Sequence, residues 1–597
     1  MTGSSAKPAP AAPATPPAPW DREVDLIVVG AGPAGMTAAL VAAREGLEVY
    51  LCEKSDHVGG TGAYSAGALW VPANAQGAAA GYADSVIAAQ TYFDGLIASD
   101  RRRPLRQAFL EAGPAAVDYL NAAGAGLMDA GPLADYQSEA PGAAVGGRVL
   151  MPAPFDGRLL GRDFERVRPP LAAFTVLGGM MVSRIDVAHL VRRYKDFASF
   201  LYSAKLVMRH LSDRLRYKRG ARLVMGNALV ARLFHALRGQ GVEVTFGASV
   251  SQLITADRRV VGAVVSSGAT ISRIGARRGV VLATGGIGTN RALAERYLPG
   301  PADLDLACPT DDGCGLQLGC DAGGRLDAEG QGIGGVWAPT SRNPGASAGR
   351  SRFPHFGDLA KPGVIAVTRA GRRFVDESLS YHDIVAAMYA THGSDGCIPA
   401  QVIFDARFLR TYGFGPVHPG RRSVGRFVDE GYLARGQTLR ELAEAIGVDP
   451  ANLSETVARH NAFAQSGVDE DFGKGGSRFG RSGGDPQVGP NPCLFPIAQA
   501  PFYSVAVWPA PTACGVGLAT GPDGEVTDAA GAPIEGLYAC GNDMASIMDG
   551  VATGPGLTLG PAMVFAYRAA MRAAHPGGQP APADSTAKPS LESVANP

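Results

Sequence analysis

The chain has 597 residues, 46% hydrophobic and 18% charged, and its 55 Lys and Arg balance 55 Asp and Glu, so the formal net charge is zero. That balance excludes nucleic-acid binding through a broad basic surface, and the length exceeds one ordinary core, so two domains or one large domain with a cap are expected. No apolar run approaches a membrane span and the N-terminus lacks a charged-then-apolar leader, so the chain reads as cytoplasmic, its eight cysteines reduced.

Residues 1–20 are Pro/Ala/Ser-rich and read as a disordered tail. From Val24 to Glu53 a βαβ unit follows. The apolar run Leu26–Val29 reads as a buried strand, Gly30-x-Gly32-x-x-Gly35 comes next, and an Ala-rich helix ends near Gly46 before a second strand reaches Glu53. Gly30 suits a tight turn, Gly32 lets a pyrophosphate approach the backbone, and Gly35 lets helix pack on strand. Glu53 is placed to accept from ribose hydroxyls, so a bound nucleotide is expected.

Between Leu171 and Gly226, the residues Leu190, Tyr194, Phe197, Leu201, Lys205 and Met208 follow helical steps, and 189–219 is strongly basic. Such a segment either lies on an anionic membrane surface or is a helical excursion whose charges are solvated. Arg278–Gly288 and Gly536–Asn542 are each a short apolar strand running into glycine. Three separated pieces therefore build one nucleotide sheet, and roughly 300–497 is inserted. Cys308, Cys314 and Cys320 recur every six residues without the spacing of a zinc or redox site, so no metal is expected. Gly554-Pro555-Gly556 opens a helix whose N–H groups and dipole can stabilise negative charge, and 576–597 reads as a second disordered tail.

The segments GAGPAG (30–35), EKSDHVGGTGAYSAGALWVPAN (53–74), DYQSEAPG and PFDGRLLG (within 135–161), RGARLVMGNALVARL (219–233), ATGGIG (283–288), KPGVIAVTRAGRRFVDESLSYHD (361–383) and GLYACGNDMASIMDGVATGPGLTLGPAM (536–563) together resemble one flavoprotein family. It is the family of the FAD-dependent 3-ketosteroid Δ1-dehydrogenases and soluble fumarate reductases, and the match spans Asp25 to Ala574. The resemblance implies an α/β fold: a Rossmann-like FAD-binding domain built from discontinuous segments (21–299, with the helical excursion 171–226, and 498–575), with an inserted α+β catalytic, capping domain (300–497). It implies FAD as cofactor, on Gly30, Gly32, Ala34, Gly35, Glu53, Lys54, Gly60, Thr61, Gly62, Ala63, Ser65, Ala283, Thr284, Gly285, Gly541, Asn542, Leu557 and Leu559, with Gly59 beside them. Members that attach FAD covalently use a histidine near Thr61. Only His57 is close, so noncovalent FAD is expected.

Where the fumarate reductases carry a proton-delivering arginine, four residues after the glutamate of Arg373-Phe374-Val375-Asp376-Glu377, this chain has Tyr381. The ketosteroid-dehydrogenase-like branch has a tyrosine there as the base for the proton α to a ketone. The resemblance thus implies α,β-desaturation of a hydrophobic, cyclic ketone: Tyr381 as base, Tyr136 as its partner, Gly556 N–H on the enolate oxygen, hydride transfer to flavin N5, and an external electron acceptor. Two alternatives stand beside it, a fumarate-reductase-type ene-reductase and a non-catalytic flavoprotein that binds a partner or membrane through 189–219. One departure is Ala552, where the steroid enzymes carry an oxyanion tyrosine. Space is expected beside Gly556, and Tyr503, His382 and His418 are the candidates for the missing donor.

Overall fold

The computed structural model describes residues 19–301, 306–342, 352–421 and 423–577. Almost all of both expected tails lies outside these residues. The inner end of the first is ordered by packing: the Trp20 ring lies over Gly262 and Gly275, which have no side chains to exclude it, and under the Arg273 guanidinium.

Arg22–Val29 pairs in parallel with Val49–Glu53 on one side and Thr270–Leu282 on the other. Val244–Phe246 and Pro533–Ala539 extend the sheet outward, again in parallel. The helices Pro33–Arg44 and Leu559–Ala574 pack on this layer, with Met225–Gly239 against Pro33–Arg44, and Leu26 to Val29 and Val280 to Leu282 are buried and read as continuous apolar runs. Gly35 is required here, because a Cβ would sit 1.9 Å from the Gly30 carbonyl oxygen. The parallel strands end together at Val29, Glu53, Leu282 and Ala539, and the crevice beyond such carboxyl ends is where an open α/β sheet takes its ligand.

The second sheet is antiparallel, in the order Arg352–Pro354, Gly335–Arg342, Phe502–Cys514, Ala400–Asp405, Val364–Val367, with Ala434–Gly436 also on Phe502–Cys514. This corrects the boundary expected at 498. Phe502–Cys514 is the central strand of the inserted sheet, held by ladders on both sides, and the chain regains the nucleotide sheet only at Glu525–Thr527 and Pro533–Ala539. Trp337, Phe404, Phe408, Phe414 and Val505 form the core of this unit, and helix Tyr381–Asp395 lies against Gly335–Arg342.

The 171–226 excursion contains two helices packed on each other, Arg184–Arg192 and Phe197–Arg214. Ser183 and Asp186 form a capping box, and buried Asp186 also holds Tyr202 Oη (2.5 Å) and Arg222 (3.0 Å). The amphipathic period is as expected, but the faces are reversed. Ser199, Ser203, His210 and Asp213 point inward with Leu206, whereas Phe197, Phe200, Leu201, Met208, Leu211 and Leu215 are exposed. No helix among the described residues is long and apolar enough to cross a membrane.

Candidate active site

A cavity of about 910 Å³ runs from the strand ends of the nucleotide sheet to the inserted sheet. Of the residues expected at the cofactor, Gly30, Gly32, Ala34, Glu53, Lys54, Gly60, Thr61, Gly62, Ser65, Ala283, Thr284, Gly285, Gly541, Asn542 and Leu559 line it. Gly35, Ala63 and Leu557 do not: Gly35 joins helix to strand, and Ala63 and Leu557 are buried in the core behind the wall. His57 is also off the wall.

The donor set fits a dinucleotide. A Cβ on Gly32 would meet nothing within 4 Å, so the first turn of helix Pro33–Arg44 opens directly onto the cavity, leaving room for phosphates at a helix N-terminus. Glu53 is held by backbone donors, Ala31 N on Oε2 and Ser55 N on Oε1, both at 2.9 Å, and the remaining lone pairs of its carboxylate are acceptors for sugar hydroxyls. Lys54 Nζ donates to Asp312 at 2.7 Å.

Two carboxyl groups under this floor were not foreseen. Thr61 Oγ1 donates to Asp311 Oδ2 (2.6 Å) and accepts from Cys308 N (2.6 Å). Burial pushes Asp311 up to about 7; the Thr61 hydrogen bond opposes that shift and the neighbouring Asp543 charge adds to it. Asp543, fully buried, accepts from the Thr284 backbone and hydroxyl and from Gly286 N, fixing the loop after Leu282. The sequence signal for Asp543 was its place directly after Gly541-Asn542; Asp311 had none.

At the far end, Tyr381 and Tyr136 both line the cavity, ring centroids 5.8 Å apart and nearly perpendicular. Tyr381 is the first residue of its helix, capped by Ser380, whose hydroxyl also donates to Asp383 (2.8 Å). The segment before it is pinned by a buried ionic cluster: Arg373 pairs with Glu377 (2.7 Å) and Asp469 (2.9 Å), and Lys474 reaches Glu377 (3.4 Å) and the Val364 carbonyl (2.6 Å). Burial alone would raise Glu377, but the Arg373 and Lys474 charges win and bring it down to about 2. The motif arginine is therefore spent on structure and is off the cavity wall. Lys474 and Asp469 lie about a hundred residues downstream, with no local pattern to mark them.

Tyr136 is tied to the Gly-Pro-Gly segment, since its N–H and the Tyr92 hydroxyl both donate to the Thr553 carbonyl, at 3.0 and 2.7 Å. Phe479 packs edge-on against Tyr136 and Phe356 against Tyr381. Burial raises both phenols. The neighbouring phenol works in opposite directions on the two, lowering Tyr381 and raising Tyr136 further. Gly556 lies on the wall at φ +95°, and a Cβ there would be 2.6 Å from the Ala68 carbonyl, a conformation open to glycine alone. The helix expected at Gly554 starts at Leu559, one turn later.

Ala552 is 3% exposed, packed in the core and off the cavity wall, so the space expected beside Gly556 is filled by protein. Tyr503, His382 and His418 are off the wall too; Tyr503 belongs to the second-sheet core and His382 hydrogen-bonds the Gly550 carbonyl (3.2 Å).

The nucleotide crevice and the tyrosine pair thus share one cavity. The model of the FAD binding domain family matches residues 25–559. A 3-oxosteroid 1-dehydrogenase of Mycobacterium tuberculosis is 33% identical over 94% of this chain and 99% of its own. The chain belongs to the FAD-dependent 3-ketosteroid Δ1-dehydrogenase and fumarate reductase flavoprotein family. Also similar is the 4-oxocyclohex-2-ene-1-carboxylate 5-dehydrogenase of Sinomonas cyclohexanicum, 36% identical over 91% of this chain and 92% of its own. The crystal structure of the 3-ketosteroid delta1-dehydrogenase from Sterolibacterium denitrificans, in complex with 1,4-androstadiene-3,17-dione, superposes with a TM-score of 0.86 at 35% identity, covering 93% of this chain and all of that one. This flavoprotein is an FAD-dependent oxidoreductase acting on CH–CH groups, with the ketosteroid-dehydrogenase-like α/β architecture.

Proposed function

We propose that this flavoprotein desaturates a hydrophobic, cyclic ketone between its α and β carbons. The observation that carries the reading is the close pair Tyr381 and Tyr136, ring centroids 5.8 Å apart, on the wall of the same cavity as the glycine-lined nucleotide crevice. FAD, when bound there, supplies the two-electron oxidant that takes the β hydrogen, and an external acceptor then removes the electrons. Tyr381 takes the α proton, and the Tyr136 hydroxyl stabilises the phenolate form that must do so. Gly556 N–H, one turn before helix Leu559–Ala574, is the donor for the ketone oxygen as it gathers enolate charge. The ene-reductase alternative needs an arginine as proton donor four residues after Glu377, and this chain has Tyr381 there. The curated relatives carry names of two substrate kinds, a 3-oxosteroid and an oxocyclohexene carboxylate, and both are cyclic ketones. The test is anaerobic mixing with a panel of cyclic ketones. Bleaching of the flavin with a product two hydrogens lighter is expected; no bleaching by any ketone, with reoxidation of reduced flavin by enones alone, would reverse the assigned direction.

A second reading concerns the reversed hairpin, whose exposed apolar stripe is flanked by Arg192, Arg193, Lys195, Lys205, Arg214, Arg216 and Lys218. An apolar face with a basic rim suits the surface of an anionic bilayer. Flotation with phosphatidylglycerol vesicles is expected to carry the protein, and Phe197→Ser with Leu201→Ser to abolish it. Equal flotation of the double variant would remove this reading.

A further inference from the structure

Two cationic side chains on the cavity wall lack an acidic partner among the described residues. Among the described residues three Lys or Arg side chains line it: Lys54, Arg184 and Lys361. Lys54 is at the nucleotide end and paired with Asp312. The other two have no carboxylate within ion-pair distance among the described residues. Lys361 is half-buried and donates one hydrogen bond, to the Gly484 carbonyl at 2.8 Å, which leaves donors of its ammonium group unused. Arg184, the first residue of the hairpin's first helix, has an exposed guanidinium with no hydrogen bond or ion pair among the described residues. The acids nearby are engaged elsewhere: Asp358 with His355 Nδ1 (2.8 Å), and Asp485 with the Tyr412 hydroxyl (2.7 Å) and Gln487 N. Burial first, and then the Arg184 charge, lower the affinity of Lys361 for its proton. Asp485 and Asp358 oppose that shift from a distance, and the half-buried Lys361 ammonium keeps donors that an anion on this wall could use.

Their place is as informative as their charge. Helix Arg478–Gly483 sets Phe479 against the Tyr136 ring and, one turn on, sets Gly483 against Ala360 beside Lys361, with Ser482 on the wall between. Phe479, Ser482 and Ala360 thus connect Tyr136 to Lys361 along one cavity wall.

We propose that Lys361 and Arg184 form a subsite for a carboxylate carried by the ketone substrate. The subsite rests on reading this cavity as the ketone site, and it makes the preferred substrate a keto acid with a single negative charge.

The test uses the oxidised holoenzyme and two inert probes, cyclohexanecarboxylate and cyclohexanecarboxamide, titrated calorimetrically. Neither is a ketone, so binding is read without turnover. The acid is expected to bind at least about tenfold tighter than the amide, and more weakly as salt is raised. Lys361→Met and, separately, Arg184→Gln should each lower affinity for the acid, Lys361→Met by about tenfold or more, and leave the amide unchanged. Arg184 is exposed, so its variant keeps the test decisive if Lys361→Met loses flavin. Equal binding of acid and amide, no detectable binding of the acid, or an equal loss of both probes in Arg184→Gln overturns the subsite. Selective acid binding together with a flavin that no ketone bleaches would instead overturn only the desaturase reading.

Discussion

Arg373→Met should unpin the segment that delivers Tyr381. In the wild type, the Arg373 and Lys474 charges bring Glu377 from its ordinary 4.5 down to about 2. Breaking a buried ion pair by removing one partner costs about 3–5 kcal/mol. Because the folded pKa is depressed, this stability is fully present above pH 4.5 and is lost as pH falls from there toward 2. In the variant, Glu377 and Asp469 remain buried without their main counter-charge, and the gap to wild type should therefore be widest near neutrality and narrow in acid. Thermal unfolding of the holoprotein, followed by circular dichroism at pH 7 and pH 4, should show a loss of roughly 2–4 °C at pH 7 and a smaller one at pH 4. A gap under about 1 °C at pH 7, or one that does not change with pH, would refute the reasoning.

Other outcomes follow from the same geometry. Tyr136→Phe removes the hydroxyl that lowers Tyr381, so the acid limb of the rate of flavin reduction should move to higher pH and the rate at pH 7 should fall; an unmoved limb would show that Tyr136 does not assist the base. Ala552→Tyr should overfill a packed core, costing about 1–3 kcal/mol, and should not speed turnover of 3-ketosteroids, which activity assays beside a melting curve will decide. Acid precipitation should release all of the flavin, since His57 is off the cavity wall, and a yellow pellet would contradict noncovalent attachment.

The parts of this molecule that were legible in sequence are those whose physics is local. The strand, glycine turn, helix and acid from Val24 to Glu53 announce themselves because each needs particular residues at fixed spacing, and Tyr381 was found through the motif four residues before it. Partners that meet only after folding were not legible. Asp311 under Thr61, and Lys474 and Asp469 around Arg373, are brought together by two sheets and their loops. The same reason explains Phe502–Cys514, since an apolar strand does not declare which sheet it will join. Periodicity in 184–214 gave the shared face of the helix but not whether that face would be covered, and it is the polar face that turned inward.

The central claim, that Tyr381 is the base that starts desaturation, is tested most directly by Tyr381→Phe. The variant should bind FAD as the wild type does, while anaerobic flavin reduction by a ketone that bleaches the wild type slows by at least about 100-fold, the lower range for loss of a general base. Flavin reduction at near wild-type rate in the fully loaded variant would contradict the account.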